Sequence, residues 1–404
     1  MRIGTFAKKN DISVETIRYY MELGLIVPVK KGGQYNFTNT CQKSLDQVLS
    51  FKQMGFTLNE IKNIFHFSAL SRIHSLEEKN HYKQYFEENY TRIKQEIKRL
   101  ESAKELVEKT LYNMDISEAE SKSVIGLPIQ VLDLLSCPKC KNDLFFKEGI
   151  VEDNKIIKGC LSCQCGQVYP IEKGILKIDP VYEDLNYPDE KDMRVEYFES
   201  TASGYIEKIY IAGKWMASVA EGWTKPEVIL EPGVGSGYAL GQTLDYIPKG
   251  ATYIAVDHNM NRLIKMREYF SKSDIHFNLV LVACDFLKIP LKEKSVDVVM
   301  DMSGSSNRAF DSPDFLLKEI CPVFKKTARL YGLYIMADGI DGREIPQTHH
   351  YLFQKEPIKE AIQNLGFDIK YETETDKTSE GGPHESYVDV VKSTWTYCFY
   401  AIRE

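Results

Sequence analysis

Residues 79–113 contain neither Gly nor Pro, and they carry the most restrictive pattern in this 404-residue chain. Two series of residues recur there every seven positions, namely Phe86, Ile93, Leu100 and Val107, and, offset by four, Tyr90, Ile97, Lys104 and Leu111. The pattern predicts a helix of roughly 50 Å whose seam has the first series at d and the second at a. An amphipathic helix packed on its own domain is the alternative. Four repeats with flanks rich in Glu and Lys favour a homodimer through the 79–113 helix.

Charge divides the chain into a basic beginning and an acidic remainder. Residues 1–75 hold ten Lys and Arg against five Asp and Glu, a net charge of +5, while the whole chain carries −7. The remainder therefore carries −12. A basic head suits contact with phosphates, whereas an acidic body disfavours RNA as a substrate. The length predicts two to four domains.

The first 66 residues predict short helices separated by turns. Helices are expected at 3–9, 13–22, 41–54 and 58–66, with Ser13 as an N-cap and Thr57 with Glu60 as a capping box. Residues 30–37 combine a basic Lys-Lys-Gly-Gly turn with a short alternating strand.

Three motifs run through this head, namely Ser13-x-Glu15-Thr16-Ile17-Arg18-Tyr19-Tyr20, Gly24-Leu25-Ile26-x-Pro28 and Phe51-x-x-x-Gly55-Phe56-Thr57-Leu58-x-Glu60-Ile61. Their order and spacing closely resemble the MerR family of transcription regulators. The resemblance implies a winged helix-turn-helix that binds double-stranded promoter DNA as a dimer. It also implies that the head distorts the promoter when a small-molecule effector binds the C-terminal part.

The DNA-binding candidates lie on the second helix and on residues 30–37, which resemble the family's wing: Ser13, Thr16, Arg18, Tyr19, Tyr20, Lys30, Lys31 and Tyr35. Residues early in a recognition helix meet base edges and phosphates, and Arg18 is the principal candidate. Core packing is the alternative for Tyr20. The family often has an Arg in the wing where this chain has Tyr35, so Lys30 and Lys31 are the alternative source of a charged phosphate contact.

A cysteine cluster follows a polar stretch at 113–128. Cys137 and Cys140 form a C-x-x-C pair, and Cys160, Cys163 and Cys165 follow some twenty residues later. Two thiolate pairs at this separation fit a tetrahedral zinc site in a reducing cytosol. The run from Cys163 to Ile175 resembles the zinc ribbon beside several methyltransferases, and this resemblance implies Cys137, Cys140, Cys163 and Cys165 as the Zn²⁺ ligands. Cys160 with Cys163, the more usual C-x-x-C pair, is the alternative for the second half of the site. A redox switch or a ribbon without metal are the alternatives.

From about residue 194, short apolar strands alternate with helical runs, the strands being 228–230, 253–256, 279–282, 296–300 and 330–335. Such alternation predicts an α/β doubly wound, Rossmann-like sheet. The first strand is followed by the Gly-rich run Glu231-Pro232-Gly233-Val234-Gly235-Ser236-Gly237. Asp257 ends the next strand, where a carboxylate can accept hydrogen bonds from both hydroxyls of a ribose. An oxidoreductase is the competing interpretation, but Glu231 would repel a pyrophosphate.

These features together resemble the class I S-adenosylmethionine-dependent methyltransferases. The resemblance implies the cofactor-binding residues Glu231, Gly233, Gly235, Gly237, Asp257, Asp285 and Phe286. Asp257 would hold the ribose diol and Asp285 the adenine amine, with Phe286 beside the ring. No catalytic residue is compulsory for in-line methyl transfer. His349 and His350, in a predicted lid, are weak catalytic candidates against the alternative of ordinary surface histidines.

The predicted architecture is multidomain. An all-α winged helix-turn-helix head covers 1–75, a coiled-coil helix 76–113, a zinc ribbon 129–178 and an α/β methyltransferase-like domain 194–404. The favoured function is a DNA-binding regulator whose last domain binds S-adenosylmethionine, a small-molecule effector or both. The alternative is a methyltransferase of a small molecule, less readily of rRNA, that also regulates its own gene. Without an apolar run of about 18 residues, no membrane span is expected, and the predicted location is the cytoplasm, at the nucleoid when DNA is bound.

Overall fold

The computed structural model describes residues 1–70, 76–116, 123–183, 190–220, 223, 225, 227–302 and 304–403. They form two compact units, Met1–Ala119 and Glu120–Glu404. Parts of the two predicted connectors, at 117–122 and 184–189, lie outside the described residues. Among the described helices, none joins the length and apolarity that crossing a membrane requires.

The first unit is helical apart from one hairpin. Its elements are α1 (Ile3–Lys9), α2 (Val14–Glu22), β1 (Val29–Lys31), β2 (Gln34–Asn36), α3 (Asn39–Gln53), α4 (Leu58–Leu70) and α5 (Leu76–Ile116). The predicted helical head, wing hairpin and long helix are therefore confirmed, with helix ends that differ by a few residues.

Capping residues fix where these helices begin. The Ser13 Oγ accepts a hydrogen bond from the Thr16 backbone N–H at 3.0 Å, which starts α2. At α4, the Glu60 carboxylate accepts from the Thr57 backbone N–H at 2.7 Å, and the Glu60 backbone N–H donates to the Thr57 Oγ1 at 3.3 Å. Each arrangement satisfies backbone donors that a helix start leaves unpaired, as the sequence predicted.

The start of α5 is fastened to the head by both packing and polar contacts. The Phe86 ring lies 5.9 Å from that of Phe51 and 5.2 Å from that of Phe56, between centroids. Asn89 donates to the Met54 carbonyl at 2.8 Å. Arg92 donates to the Gly55 carbonyl and pairs with the Glu60 carboxylate. The first residue of the predicted seam, Phe86, thus packs inside its own head.

Beyond this junction, the rest of the predicted seam is open. Its apolar members are between 39% and 68% exposed, namely Tyr90, Ile93, Ile97, Leu100, Val107 and Leu111. Lys104 forms an ion pair with Glu108 on the same helix. An exposed apolar stripe of this length is unusual on a helix that works alone.

The second unit is an α/β structure. Its strands are β3 (Leu127–Pro128), β4 (Phe145–Glu152), β5 (Lys155–Ser162), β6 (Val168–Glu172), β7 (Ile175–Lys177), β8 (Val228–Pro232), β9 (Thr252–Asp257), β10 (Asn278–Ala283), β11 (Val296–Met302), β12 (Phe324–Asp338), β13 (Phe367–Glu374) and β14 (Ser393–Arg403). Its helices are α6 (Glu190–Ser200), α7 (Ser203–Ala220), α8 (Tyr238–Thr243), α9 (Met260–Ser271), α10 (Gly304–Asp311), α11 (Leu316–Ile320) and α12 (Lys355–Asn364).

All of these strands belong to one sheet with the order β13-β14-β12-β11-β8-β9-β10-β7-β6-β5-β3, and β4 pairs with β5. The central strands from β12 to β7 are parallel, and the strands at both ends are antiparallel. The strand order reverses at β8, which lies between β9 and β11. Open α/β sheets bind ligands beside such a switch point, at the carboxyl ends of the strands. The predicted doubly wound sheet is confirmed.

The strands of the predicted zinc ribbon continue this sheet, although no sequence pattern indicated such pairing. β7 pairs in parallel with β10, with Ile175 beside Leu281 and Lys177 beside Ala283. Leu176 belongs to the same apolar cluster as Val280. Residues 129–178 and 194–404 were predicted as separate domains, and the structure joins their strands by backbone hydrogen bonds and a shared core.

Alternate side chains of the central strands cover the two faces of the sheet. Leu230 and Ile254 lie in one apolar cluster, and their chain neighbours Ile229 and Tyr253 lie in the other. Strands buried on both faces need apolar residues at consecutive positions, which explains the unbroken apolar runs in the sequence.

Candidate functional site

Helix α2 and its N-cap carry five of the predicted DNA-binding residues, which differ in their exposure to solvent. Arg18 is exposed, Tyr19 is 50% exposed, and Thr16 is half-buried. Ser13 is exposed, but its hydroxyl already serves the cap and lies 2.9 Å from the Thr16 hydroxyl. Tyr20 lies in the head core, where burial raises the pKa of its hydroxyl. The core position is the alternative that the sequence left open for Tyr20.

The hairpin of β1 and β2 carries the three predicted wing residues. Lys30 and Tyr35 are direct cross-strand partners, and the Lys30 Nζ lies 5.8 Å from the centroid of the Tyr35 ring. Lys31 is exposed beside them. The Lys30 ammonium thus lies over the Tyr35 ring. Lys30 and Lys31 give the hairpin its positive charge, since Tyr35 stands where an Arg was expected.

Four cysteines converge in the second unit. The Sγ atoms of Cys137, Cys140, Cys163 and Cys165 all lie within 4.8 Å of one another. The Sγ atoms of Cys137 and Cys165 are 3.7 Å apart, and those of Cys140 and Cys163 are 3.3 Å apart. A zinc ion bonded at about 2.3 Å to four sulfurs holds them about 3.8 Å apart at tetrahedral angles. The donor set and its spacing therefore fit zinc. Cys160 is outside this group.

Two tight turns bring these thiols together. Lys141 donates its backbone N–H to the Cys137 carbonyl at 2.8 Å, and Gly166 donates to the Cys163 carbonyl at 3.0 Å. Both donors have a positive φ, +62° for Lys141 and +86° for Gly166. Glycine adopts this conformation at little cost, which explains its place after Cys165.

Hydrogen bonds prepare one of the thiols for a metal. Burial alone would raise the pKa of Cys137, but the Tyr169 hydroxyl and backbone N–H groups of Cys140 and Lys139 lower it to about 6. The Tyr169 oxygen lies 3.2 Å from the Cys137 Sγ. Because a metal binds the thiolate rather than the thiol, this environment favours coordination at neutral pH.

The Gly-rich run leaves the end of β8 as a tight loop. Gly233 has φ +76°, and its backbone N–H donates to the Val256 carbonyl at 2.8 Å. A Cβ at Gly233 would lie 3.2 Å from the Phe286 ring and 3.3 Å from the Gly304 Cα. Both the backbone angle and the close approach therefore require glycine at this position. Gly235 and Gly237 also have positive φ.

Asp257 stands at the predicted position but is engaged by the protein itself. Its carboxylate accepts from the Gly235 backbone N–H at 2.9 Å and from the Asn259 backbone N–H at 2.8 Å. Arg262 approaches it at 4.0 Å, and the carboxylate is almost fully buried. A ribose would have to take the remaining lone pairs of these oxygens or displace the Gly235 amide.

The third predicted loop begins at the end of β10. The Asp285 carboxylate accepts from the Leu287 backbone N–H at 2.8 Å and caps a short 3₁₀ turn. The Phe286 ring lies against Gly233, so the structure brings the first and third loops into contact.

Glu231 lies buried beneath the Gly-rich loop. Its carboxyl accepts a hydrogen bond from the Tyr253 hydroxyl at 2.6 Å. Burial, with the nearby Asp257 and Asp301, raises the pKa of Glu231 to about 8, although the Tyr253 hydrogen bond opposes the shift. Glu231 is therefore largely protonated at neutral pH and would ionise beside a cation.

A cleft of about 960 Å³ opens beside this loop, near the upper end of the roughly 300–1,000 Å³ typical of ligand pockets. One part of its wall is formed by Glu231, Gly233, Gly235 and Arg262, which we call the cofactor side. Arg262 was not singled out in the sequence.

Another part of the wall, which we call the aromatic side, includes Tyr197, Tyr205, Lys208, Glu385 and Tyr387. None of these residues was singled out in the sequence. A usable signal was present, because Lys208, Ala212, Met216 and Ala220 recur every four residues, so a lysine stands in the buried stripe of α7.

The two histidines do not line this cleft. A ring nitrogen of His349 lies 2.9 Å from the Ala309 carbonyl, and one of His350 lies 2.8 Å from the Ile345 carbonyl. Both rings contact backbone carbonyls, and His349 is buried, so it is not the surface histidine that the alternative expected.

Two family models match the chain. The model described as the MerR HTH family regulatory protein matches residues 1–67, and the model described as a methyltransferase domain matches residues 230–332. Both matches fall on the segments that the sequence motifs selected.

Similar structures include a SAM-dependent methyltransferase from Aquifex aeolicus, with 15% identity, 54% of this chain and 100% of that chain covered, and a TM-score of 0.36. Geranyl diphosphate C-methyltransferase from Streptomyces coelicolor has 14% identity, 48% and 76% coverage, and a TM-score of 0.35.

Curated relatives match the N-terminal part. The mercuric resistance operon regulatory protein of Bacillus cereus is 41% identical over 66 residues, and the HTH-type transcriptional regulator YfmP of Bacillus subtilis is 36% identical over 75. These matches cover 16% and 18% of this chain, and the chain spans about half the length of both relatives. The ZntR homolog of Haemophilus influenzae is 30% identical over 115 residues, which are 28% of this chain and 85% of that protein. The chain therefore belongs to the MerR family of HTH regulatory proteins, and it carries a methyltransferase domain in its second unit.

Proposed function

We propose that this protein is a dimeric DNA-binding transcription regulator whose second unit binds S-adenosylmethionine and a small-molecule effector. One observation carries the proposal: a single chain joins an exposed basic head to a separate unit that contains a cleft of about 960 Å³. Such a regulator would act in the cytoplasm, at the nucleoid. Methyl transfer to the bound small molecule is the second candidate, since the same cleft has room beyond its cofactor side.

In the head, the proposed DNA contacts are Ser13, Thr16, Arg18, Tyr19, Tyr20, Lys30, Lys31 and Tyr35. Arg18 carries the main weight because it is a fully charged, exposed side chain on the recognition helix. Tyr20 is the weakest member, since its ring lies in the core.

Replacing Arg18 by Ala is expected to weaken binding to DNA by about tenfold or more, on the order of 1–3 kcal/mol. The measurement is fluorescence anisotropy with a duplex that the full chain selects from a random 30-base-pair library. Arg99→Ala is the matched control, because Arg99 is an exposed arginine on α5 paired with Glu96. Equal affinity of Arg18→Ala and wild type would remove the assigned role.

The proposed dimer forms along the exposed seam of α5. Burying a leucine contributes about 1.5–3 kcal/mol, and a symmetric dimer buries each seam residue twice. A charge placed at a d position opposes this burial on both helices.

Leu100→Arg is therefore expected to raise the dimer dissociation constant at least about a hundredfold, as measured by sedimentation equilibrium of the full chain. Leu106→Arg is the control, since Leu106 is 67% exposed but lies outside both seven-residue series. A wild-type monomer, or an equal loss in both variants, would exclude this seam as the interface.

The proposed metal site is a structural Zn²⁺ held by Cys137, Cys140, Cys163 and Cys165. Four thiolates leave no open position for catalysis, so the ion would tie the two turns together. That role suits the two turns closed by the Lys141 and Gly166 backbone N–H groups, each of which carries one pair of the thiols.

About one zinc per chain is expected, released by Cys137→Ser and retained by Cys160→Ser. Metal content is measured by mass spectrometry after dialysis, with thermal unfolding in parallel. Cys160→Ser is a close control because Cys160 lies in the same ribbon, on β5, outside the sulfur cluster. A folded wild type without metal would contradict the site.

S-adenosylmethionine is proposed to bind through Glu231, Gly233, Gly235, Gly237, Asp257, Asp285 and Phe286. Glu231, Gly233 and Gly235 support this assignment because they line the cleft, and Gly233 lies against the Phe286 ring; Gly237, Asp257, Asp285 and Phe286 are not among the lining residues. The bound sulfonium nucleoside would supply a transferable methyl group, while the chain positions it and excludes water.

Binding of S-adenosylmethionine is expected to release a proton, because a cationic ligand favours the ionised form of Glu231, whose pKa in the free protein is about 8. Affinity should then rise between pH 6 and 8 and level off above, by about tenfold per pH unit at most. Calorimetry in buffers of different ionisation enthalpy measures this release.

Glu231→Gln should bind without proton release, and Asp257→Ala should lose binding. The exposed Asp245 gives the control Asp245→Ala, which should match wild type. An affinity of the wild type that does not change with pH would contradict the proposed contact of Glu231 with the bound cofactor. Absence of binding would mean that the fold serves other ligands.

A further inference from the structure

Lys208, on α7, lines the cleft, and its ammonium group is buried. The residue is only 3% exposed, and its Nζ has no hydrogen-bond partner in the described part of the chain. The ammonium lies over the ring of Tyr205, whose centroid is 3.8 Å away. A cation over a ring offsets part of the desolvation but uses none of the three N–H donors. A buried ammonium without an acceptor is costly, so the site is incomplete without one.

The carboxylate whose charge acts on Lys208, that of Glu385, forms its hydrogen bonds with other groups. Glu385 is buried, and its carboxylate accepts from the Gly382 backbone N–H at 3.1 Å and from the Tyr197 hydroxyl. Burial lowers the pKa of Lys208 to about 8, and the charge of Glu385 opposes that shift without a hydrogen bond between them. The lysine donors therefore stay free for a ligand.

The cleft wall includes the rings of Tyr197, Tyr205, Tyr238, Phe310 and Tyr387, alongside acidic side chains such as Glu344 and Asp389. The hydroxyls of Tyr205 and Tyr387 lie 2.6 Å apart and share one hydrogen bond. The rings of Phe310 and Tyr387 are 5.2 Å apart between centroids. Paired hydroxyls leave the ring faces as the surface that a planar apolar body can cover.

We propose that Lys208 anchors a small aromatic ligand through an anionic oxygen, a carboxylate or a phenolate, with the ligand's ring packed among Tyr205, Phe310 and Tyr387. An anionic oxygen would use the free N–H donors of Lys208 in a charge-assisted hydrogen bond. A cationic group at the same place would be repelled by the Lys208 ammonium, which already lies over the Tyr205 ring. The proposal rests on the proposed function only in that it concerns the same cleft.

The test titrates the full-length protein with three isosteric probes: 2-naphthoate, 2-naphthamide and the cation 2-naphthylmethylammonium. Wild type is expected to bind the carboxylate at least about tenfold more tightly than the amide and not to bind the cation. Equal affinity for carboxylate and amide, or no binding of 2-naphthoate at millimolar concentration, would overturn the proposal without any variant.

Lys208→Met supplies the second arm. It should reduce affinity for 2-naphthoate at least about tenfold and leave that for 2-naphthamide unchanged. Lys214→Met is the control, since Lys214 is an exposed lysine on the same helix that lies over the Tyr210 ring. A Lys208→Met protein that still prefers the carboxylate contradicts the anchor.

S-adenosylmethionine titrated into the same samples separates the two claims. If it binds equally to wild type and Lys208→Met while the carboxylate preference is lost only in the variant, both claims stand. If it fails to bind while 2-naphthoate binds with the expected preference, the cofactor assignment fails and the Lys208 site remains.

Discussion

The parallel pairing of β7 with β10 is the contact on which the second unit depends. It places the three-residue strand β7 (Ile175–Lys177) beside β10, which would otherwise be the outer strand of the doubly wound sheet. An unpaired outer strand exposes backbone donors and acceptors and invites association with other chains. Here the strand is covered by the ribbon, whose own cysteine turns lie further along the same sheet. The cysteine cluster, the sheet and the cleft therefore share one folding unit.

Local signals made much of the fold predictable. Ser13, Thr57 and Glu60 mark helix starts through their own hydrogen bonds, and the apolar strands are recognisable because both sides of the sheet are buried. The continuation of the sheet through β7 was not predictable in this way. It depends on contacts between residues more than a hundred positions apart, such as Ile175 with Leu281, and neither segment carries a mark of its partner.

The candidate site was predictable to the extent that chemistry follows motif spacing. The four selected thiols do converge, because each pair lies on one tight turn. The aromatic side was missed because its members come from α6, α7 and the segment before β14. Lys208 itself reads as a flaw in an apolar stripe, and its meaning depends on the burial of Nζ, which only the folded chain reveals. Spacing placed Asp257 at the end of a strand, as the structure has it. It could not show that the Asp257 carboxylate already accepts hydrogen bonds from two backbone amides.

The junction at the start of α5 has a mechanical consequence. Arg92 and Asn89 grip the turn between α3 and α4 through the Gly55 and Met54 carbonyls, while Phe86 fills the space beneath. A head held at several points cannot swivel on its helix as a flexible attachment would. The head and the start of α5 would therefore move as one body, and a rotation of α5 about its axis would turn the head by the same angle.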